Sequence, residues 1–161
     1  MATWAELETT APELAAAVRE RFEAYGLGLL ATVRGDGSPR ISGIEPLFAL
    51  GELWLGMMPM SRKALDLLRD PRFALHCATI DKDLTAGDAK LSGRAIVVDD
   101  APTIDAYRAA FEKTTGYPPP PAPFPLFRGD ITDLSIVRSI DDHLDTRWWR
   151  EGEGVGSVQR T

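Results

Sequence analysis

The stretch LATVRGDGSPRISGIEPLFALGELWLGMM, residues 30–58, contains three β-prone runs separated by two tight turns. The first two runs flank Gly-Asp-Gly-Ser, a sequence typical of a hairpin turn. Leu-Gly-Glu then forms a second turn before the third run, LWLGMM. Three consecutive strands joined by such short turns make an antiparallel meander. The stretch therefore predicts an antiparallel β structure in this part of the chain.

The rest of the chain adds helices and further strands to this meander. Apolar residues recur at helical spacing in three segments, residues 10–26, 61–70 and 101–114. Four more segments read as strands: 72–80, 89–100, 130–141 and 143–150. Adjacent strands with little β-α-β alternation predict a mostly β fold, an antiparallel barrel with peripheral helices.

The predicted organisation is one domain over residues 1–161. It comprises an N-terminal helix in 1–27, a barrel with inserted helices in 28–150, and a Gly-rich tail in 151–161 that is either frayed or a final edge strand.

Composition narrows the classes of function. The 161 residues carry a formal net charge of -6, which is unfavourable for general nucleic-acid binding and favours a small-molecule or protein partner. Cys77, the single cysteine, lies in an apolar run and predicts a buried thiol in a reducing compartment. Without a secretory signal or a membrane-spanning run, the expected location is the cytoplasm. The two histidines, His76 and His143, are far apart in sequence, so no metal site is expected.

The segment that follows the third strand contains the strongest candidate site. Arg62 and Lys63 lie at a predicted helix start, where the helix dipole favours negative charge. Ser61 is a good N-cap, and the free N–H groups of a helix start bind anions. Together these residues suit a phosphate monoester. The alternative is a solvated cationic face that pairs with Asp66 or Asp70, and the tripeptide alone favours that alternative.

Neighbouring residues could hold a planar ring beside such an anion. Gly56 has no side chain, so a flat ring could approach its backbone. Met57 and Met58 could offer a soft apolar surface, although core filling is the alternative for each. Arg40, on the second strand of the hairpin, could reach the same anion, or it could be an ordinary surface charge.

The order of these signals, from LAT through DGSPR to SRKA and DPR, resembles the pyridoxamine 5'-phosphate oxidase-like superfamily of FMN-binding split barrels. This superfamily includes flavin and deazaflavin oxidoreductases. The resemblance runs from about Leu29 to Val98. It implies a six-stranded antiparallel split β-barrel that forms a homodimer, with the cofactor in a groove at the subunit interface.

By the same resemblance, two groups of residues would bind FMN. The phosphate would be held at the helix start, by Ser61, Arg62 and Lys63. The flavin ring would be lined by residues of the two preceding strands: Gly56, Met57, Met58, Arg40, Ile41 and Ser42.

The implied function is an FMN-binding oxidoreductase that moves a hydride or electrons to or from a small planar substrate. Glu45 lies near the position where the true oxidase has a basic residue, and DTRWWREGEGVGSVQRT does not match its C-terminal Arg- and Trp-containing signature. Pyridoxamine phosphate is therefore not the expected substrate. The alternatives are a deazaflavin-dependent reductase, with Arg40 or Lys90 along the longer anionic tail, and a non-catalytic flavin or haem protein, with haem ranked last. No catalytic acid or base is predicted.

Overall fold

The chain forms an open antiparallel sheet with helices around it, and the structure, a computed structural model, describes residues 2–161. The helices in these residues are α1 Trp4–Thr10, α2 Pro12–Glu23, α3 Arg62–Arg69 and α4 Ala101–Thr115. The strands are β1 Gly28–Val33, β2 Pro39–Ile44, β3 Leu47–Ala49, β4 Glu52–Gly56, β5 Arg72–Cys77, β6 Asp88–Val97, β7 Leu126–Ile140, β8 His143–Arg150 and β9 Gly154–Arg160.

The sheet runs in the order β2-β1-β5-β6-β7-β4-β3, and all its pairs are antiparallel. The long strand β7 pairs with β4 near its start and with β8 in its second half, and β9 adds to β8. The predicted split barrel is confirmed, but the described residues contain nine strands instead of six. One reason is Pro46, which lacks an N–H and separates β2 from β3. Another is the Gly-rich tail, which forms the edge strand β9.

A row of leucines crosses the inner face of the sheet and forms the centre of the core. Leu30 of β1 lies opposite Leu75 of β5, Leu75 opposite Leu91 of β6, and Leu91 opposite Leu134 of β7. All four are at most 1% exposed. Directly opposed residues of antiparallel strands share a face, so these side chains pack in one layer. The layer fixes the register of β1, β5, β6 and β7, and β1 in turn pairs with β2, which carries Arg40.

The helix α2, which corresponds to most of the predicted N-terminal helix, covers this layer. Four residues of α2 are buried in the same cluster, at helical spacing: Leu14, Ala15, Val18 and Phe22. A separate helix, α1, precedes it and was not predicted. Thr3 and Glu6 cap α1 reciprocally, and Pro12 starts α2 after a break at Ala11. None of the helices in residues 2–161 has the length and apolar character needed to cross a bilayer.

Candidate anion-binding site

The start of α3 presents unsatisfied hydrogen-bonding groups. Ser61 is its N-cap residue, yet its side chain makes no capping hydrogen bond. The Ser61 Oγ is buried and has no hydrogen-bond partner within residues 2–161. An N-cap serine normally accepts from a backbone N–H of the first turn, so its hydroxyl and the first N–H groups of the helix are all available. Buried polar atoms without partners are rare, and an external anion would satisfy them.

Two cations flank this helix start without a carboxylate partner. Arg62 is exposed, and no ion pair joins either Arg62 or Lys63 to a carboxylate of the described chain. The alternative that they pair with Asp66 or Asp70 is wrong, because Asp66 binds Arg40 and Arg69, whereas Asp70 binds Arg72.

Lys63 is half-buried, and its ammonium group donates to the backbone oxygen of Gly43 on β2. Burial lowers the pKa of Lys63, and the nearby carboxylate of Glu45 partly opposes that shift. A lysine ammonium has three donors, so two remain after the bond to Gly43. Lys63 is therefore positioned against β2 with donors to spare for an anion.

Asp66 attaches α3 to the barrel. Its carboxylate is 4% exposed and accepts from Thr32 Oγ1 at 2.9 Å and from Arg40 Nε at 2.6 Å. Arg69 Nη2 also donates to Asp66, at 3.3 Å, and to the backbone oxygen of Val33. Burial raises the pKa of Asp66, but the hydrogen bonds from Arg40, Thr32 and Arg69 outweigh it, so the net shift is downward. Asp66 thus stays ionised and holds the helix start in place.

Arg40 takes part in this structural contact, so its charge is already paired. Its side chain is 24% exposed and bonded to Asp66. Arg40 and Ser42 lie opposite the buried Thr32 and Leu30, on the face of β2 that α3 covers. Ile41 lies opposite Ala31, on the other face, and is 70% exposed. The predicted ring-lining residues of β2 therefore divide between two faces of the sheet.

The exposed face that carries Ile41 forms a groove of about 440 Å³. Leu29 lies beside Ile41 in this groove and is 49% exposed. The polar lining includes His76, Lys90 and Ser135, from three neighbouring strands. We call this the outer groove. It combines apolar surface with a few polar groups, which is the composition of small-molecule sites.

The residues at the end of β4 differ in their accessibility. A Cβ on Gly56 would collide with the Tyr107 hydroxyl, so the absence of a side chain there has a structural reason. Met57 is 2% exposed and lies in the core, whereas Met58 is 75% exposed. Gly56 and Met57 thus offer only their backbone to a ligand, whereas Met58 is exposed, as is Met60 immediately before the helix start.

Sequence reasoning missed the residues that orient this site. Thr32 and Tyr107 were not singled out, and Asp66 was considered only as a possible partner of the α3 cations, although each contacts a predicted site residue or its helix. One signal was present, because Thr32 shares the buried face of β1 with Leu30, and a buried hydroxyl requires a partner.

Within residues 2–161, no group of three or more His, Cys, Asp or Glu residues is arranged to hold a metal ion.

An open antiparallel barrel with a helix inserted between its fourth and fifth strands defines a protein of the split-barrel class. The family model for pyridoxamine 5'-phosphate oxidase matches residues 14–138. This chain therefore belongs to the pyridoxamine 5'-phosphate oxidase family.

Solved structures with the same fold are distant in sequence. A conserved hypothetical protein of Mycobacterium tuberculosis is 23% identical, with 74% of this chain and 81% of that chain covered and a TM-score of 0.62. A pyridoxamine 5'-phosphate oxidase-related, FMN-binding protein of Nostoc punctiforme is 16% identical, with 100% of this chain and 98% of that chain covered and a TM-score of 0.63. A haem-binding protein of Mycobacterium smegmatis is 16% identical, with 89% of this chain and 87% of that chain covered and a TM-score of 0.60. The comparison with curated proteins gives no match.

Proposed function

We propose that this protein is an FMN-binding oxidoreductase whose phosphate site is the start of α3. One observation carries the proposal. The Ser61 hydroxyl is buried without a partner beside Arg62 and Lys63, which have no carboxylate partner in residues 2–161. A phosphate monoester would satisfy this donor set, since it carries negative charge and several acceptor oxygens. The family, and the FMN-binding protein of Nostoc punctiforme with the same fold, support the choice of FMN.

Each residue of the site has a distinct task in this proposal. The helix N–H groups and Ser61 would donate to the phosphate, while Arg62 and Lys63 would neutralise it. Asp66 positions them through Thr32 and Arg40. When bound, FMN supplies the reversible transfer of a hydride or of electrons, and the protein binds and orients it. The exposed side chains of Met58 and Ile41 would exclude water from one part of the bound cofactor.

The proposal includes a homodimer that places the cofactor at the subunit interface. Ile41 and Leu29 are exposed apolar side chains in the outer groove, and Met58 is an exposed apolar side chain just before α3. β2, at one edge of the sheet, leaves backbone groups unpaired, and a second copy would cover them together with these side chains.

The single buried cysteine, Cys77, fits a reducing compartment, so we place the protein in the cytoplasm.

The substrate in this proposal is small and planar but is not pyridoxamine phosphate. Glu45 is exposed and close enough to Lys63 to affect its pKa. A carboxylate at this point would repel a second phosphate group beside the cofactor. A deazaflavin coenzyme is the second candidate cofactor. Lys90, exposed in the outer groove, could then contact its anionic tail, whereas Arg40 is already paired with Asp66.

A non-catalytic haem protein is the remaining alternative. One observation favours it, because His76 lines the outer groove and imidazole is a common haem ligand. The haem-binding protein of Mycobacterium smegmatis shares the fold.

The visible absorption spectrum of the purified protein distinguishes these functions. We expect flavin bands, and we expect denaturation to release a yellow compound that chromatographs as FMN. A Soret band would instead identify haem, and a colourless protein that binds added deazaflavin but not FMN would identify the second candidate. Either of these results would overturn the FMN assignment.

The pH dependence of FMN binding tests the role of Lys63. The pKa of Lys63 is below its ordinary value of 10.5 because its ammonium is partly buried. As the pH rises through this lowered pKa, Lys63 loses its charge and its attraction for phosphate. As the pH is raised, FMN affinity should therefore start to decrease before pH 10.5 is reached, as measured by fluorescence titration.

Lys63→Arg provides the control for this experiment, because an arginine stays protonated over the same range. Ionisation of the flavin ring affects the wild-type protein and the variant equally, so the dependence of FMN affinity on pH can be compared directly between them. The alkaline loss of affinity should be smaller in the variant. Identical slopes would exclude Lys63 as the titrating group.

A further inference from the structure

A second cavity lies between the first turns of α2 and the strands β7, β8 and β9. Its volume is about 280 Å³. It shares no lining residue with the outer groove or with the start of α3. Much of its wall is apolar, formed by Leu14, Ala17, Ile136, Ile140 and Val155. A chamber of this size is near the lower limit for small-molecule sites, which span about 300–1,000 Å³.

Three charged side chains of β7 and β8 line this cavity from the same sheet face. Arg138 lies directly opposite Asp145, and Ile136 lies directly opposite Arg147. Asp145 is 8% exposed, and its carboxylate accepts from Arg147 Nε at 3.1 Å. The carboxylate inside the cavity is therefore already paired with Arg147.

Arg138 has no such partner. No carboxylate of the described residues lies within ion-pair distance of its guanidinium, and its Nε is buried without a hydrogen bond. The stem of the side chain is fixed against Gly87, where an added Cβ would lie 2.7 Å from Arg138 Cγ. Glu13, the other acid of the lining, is exposed and makes no ion pair with Arg138. The Nε of Arg138 is thus a buried donor without a partner in a partly apolar chamber, and an anion would satisfy it.

We infer that this cavity binds a small amphipathic carboxylate. The carboxylate would accept hydrogen bonds from the planar guanidinium of Arg138, which matches carboxylate geometry. The apolar body of the ligand would lie against Leu14, Ala17 and Ile136. This site is separate from the proposed FMN site, so its occupancy does not require FMN to be bound.

Isothermal titration calorimetry with octanoate, octanol and octylamine tests this inference on the protein as purified. Octanoate should bind, and octanol should bind about tenfold or more weakly, because a hydrogen bond to a charged group contributes about 1.5–3 kcal/mol. Octylamine, which brings a cation to Arg138, should not bind. Equal affinity for octanoate and octanol, or no binding of octanoate, would overturn the inference.

Three variants locate the site. Arg138→Met should weaken octanoate binding about tenfold or more, while the matched Arg160→Met, on the edge strand β9, should leave it unchanged. Ala17→Phe should fill the cavity and weaken both octanoate and octanol. Thermal melting identifies any variant that fails to fold. FMN retention should be unchanged in Arg138→Met. Equal octanoate affinity of the two arginine variants would place the ligand elsewhere and refute the assignment.

Discussion

Asp66→Ala is expected to lower the free energy of unfolding by about 3 kcal/mol, the lower end of the range for removing one partner of a buried ion pair. The carboxylate is 4% exposed and accepts hydrogen bonds from Thr32, Arg40 and Arg69. Its removal leaves the buried Thr32 hydroxyl without a partner. The lower end applies because Arg40 and Arg69 are 24% and 46% exposed and can regain water.

Urea denaturation of the variant, followed by circular dichroism, measures this loss. Glu23→Ala is the matched control, because Glu23 forms an exposed ion pair with Arg19 and its loss should cost less than about 1 kcal/mol. Equal effects of the two substitutions would mean that Asp66 does not attach α3 to the barrel.

The same carboxylate adds a pH dependence to stability. The pKa of Asp66 is lower in the folded chain than its ordinary value of 3.8. Its contribution is therefore fully present above that ordinary value and is lost as the pH falls through the folded pKa. Asp66→Asn should lack this part of the acid-induced loss.

The second large effect is expected for Arg62→Ala combined with Lys63→Ala. Each cation would make charge-assisted hydrogen bonds to the FMN phosphate, worth about 1.5–3 kcal/mol apiece. Removing both should weaken FMN binding on the order of 100-fold or more. Fluorescence titration of the apoprotein measures the change.

The fold should survive this double substitution. Arg62 is exposed, and within residues 2–161 the only side-chain hydrogen bond given up is the one from Lys63 to Gly43. Arg94→Ala combined with Lys82→Ala removes two exposed cations from outside the site and should leave FMN affinity unchanged. If both double variants bound FMN equally, the cations of α3 would have no specific role.

Local signals in the sequence were sufficient for much of the fold. The Gly-Asp-Gly-Ser turn does join β1 to β2, and the predicted helix at 101–114 and strand at 143–150 match α4 and β8. The short helix α1 was missed because its signal, a capping box of Thr3 and Glu6, precedes only seven helical residues. Turns and helical periodicity are local, and the sequence displays them directly.

The contacts that build the candidate site are not local. Asp66 meets Arg40 and Thr32 across separations of 26 and 34 residues. No pattern within α3 distinguishes Asp66 from an exposed acid, so the sequence suggested that it pairs with Arg62 or Lys63. Similarly, the reason for Gly56 lies at Tyr107, on a helix that follows two further strands. Pairings of this kind follow from topology, which the local pattern does not contain.

The most direct test of the phosphate site compares FMN with riboflavin, the same ring system without the phosphate. If the start of α3 binds the phosphate, the wild-type protein should bind FMN on the order of 100-fold more tightly than riboflavin. The difference should nearly vanish in the variant that lacks Arg62 and Lys63. Equal affinities of the wild-type protein for FMN and riboflavin would contradict the assignment of this helix start as the cofactor's phosphate site.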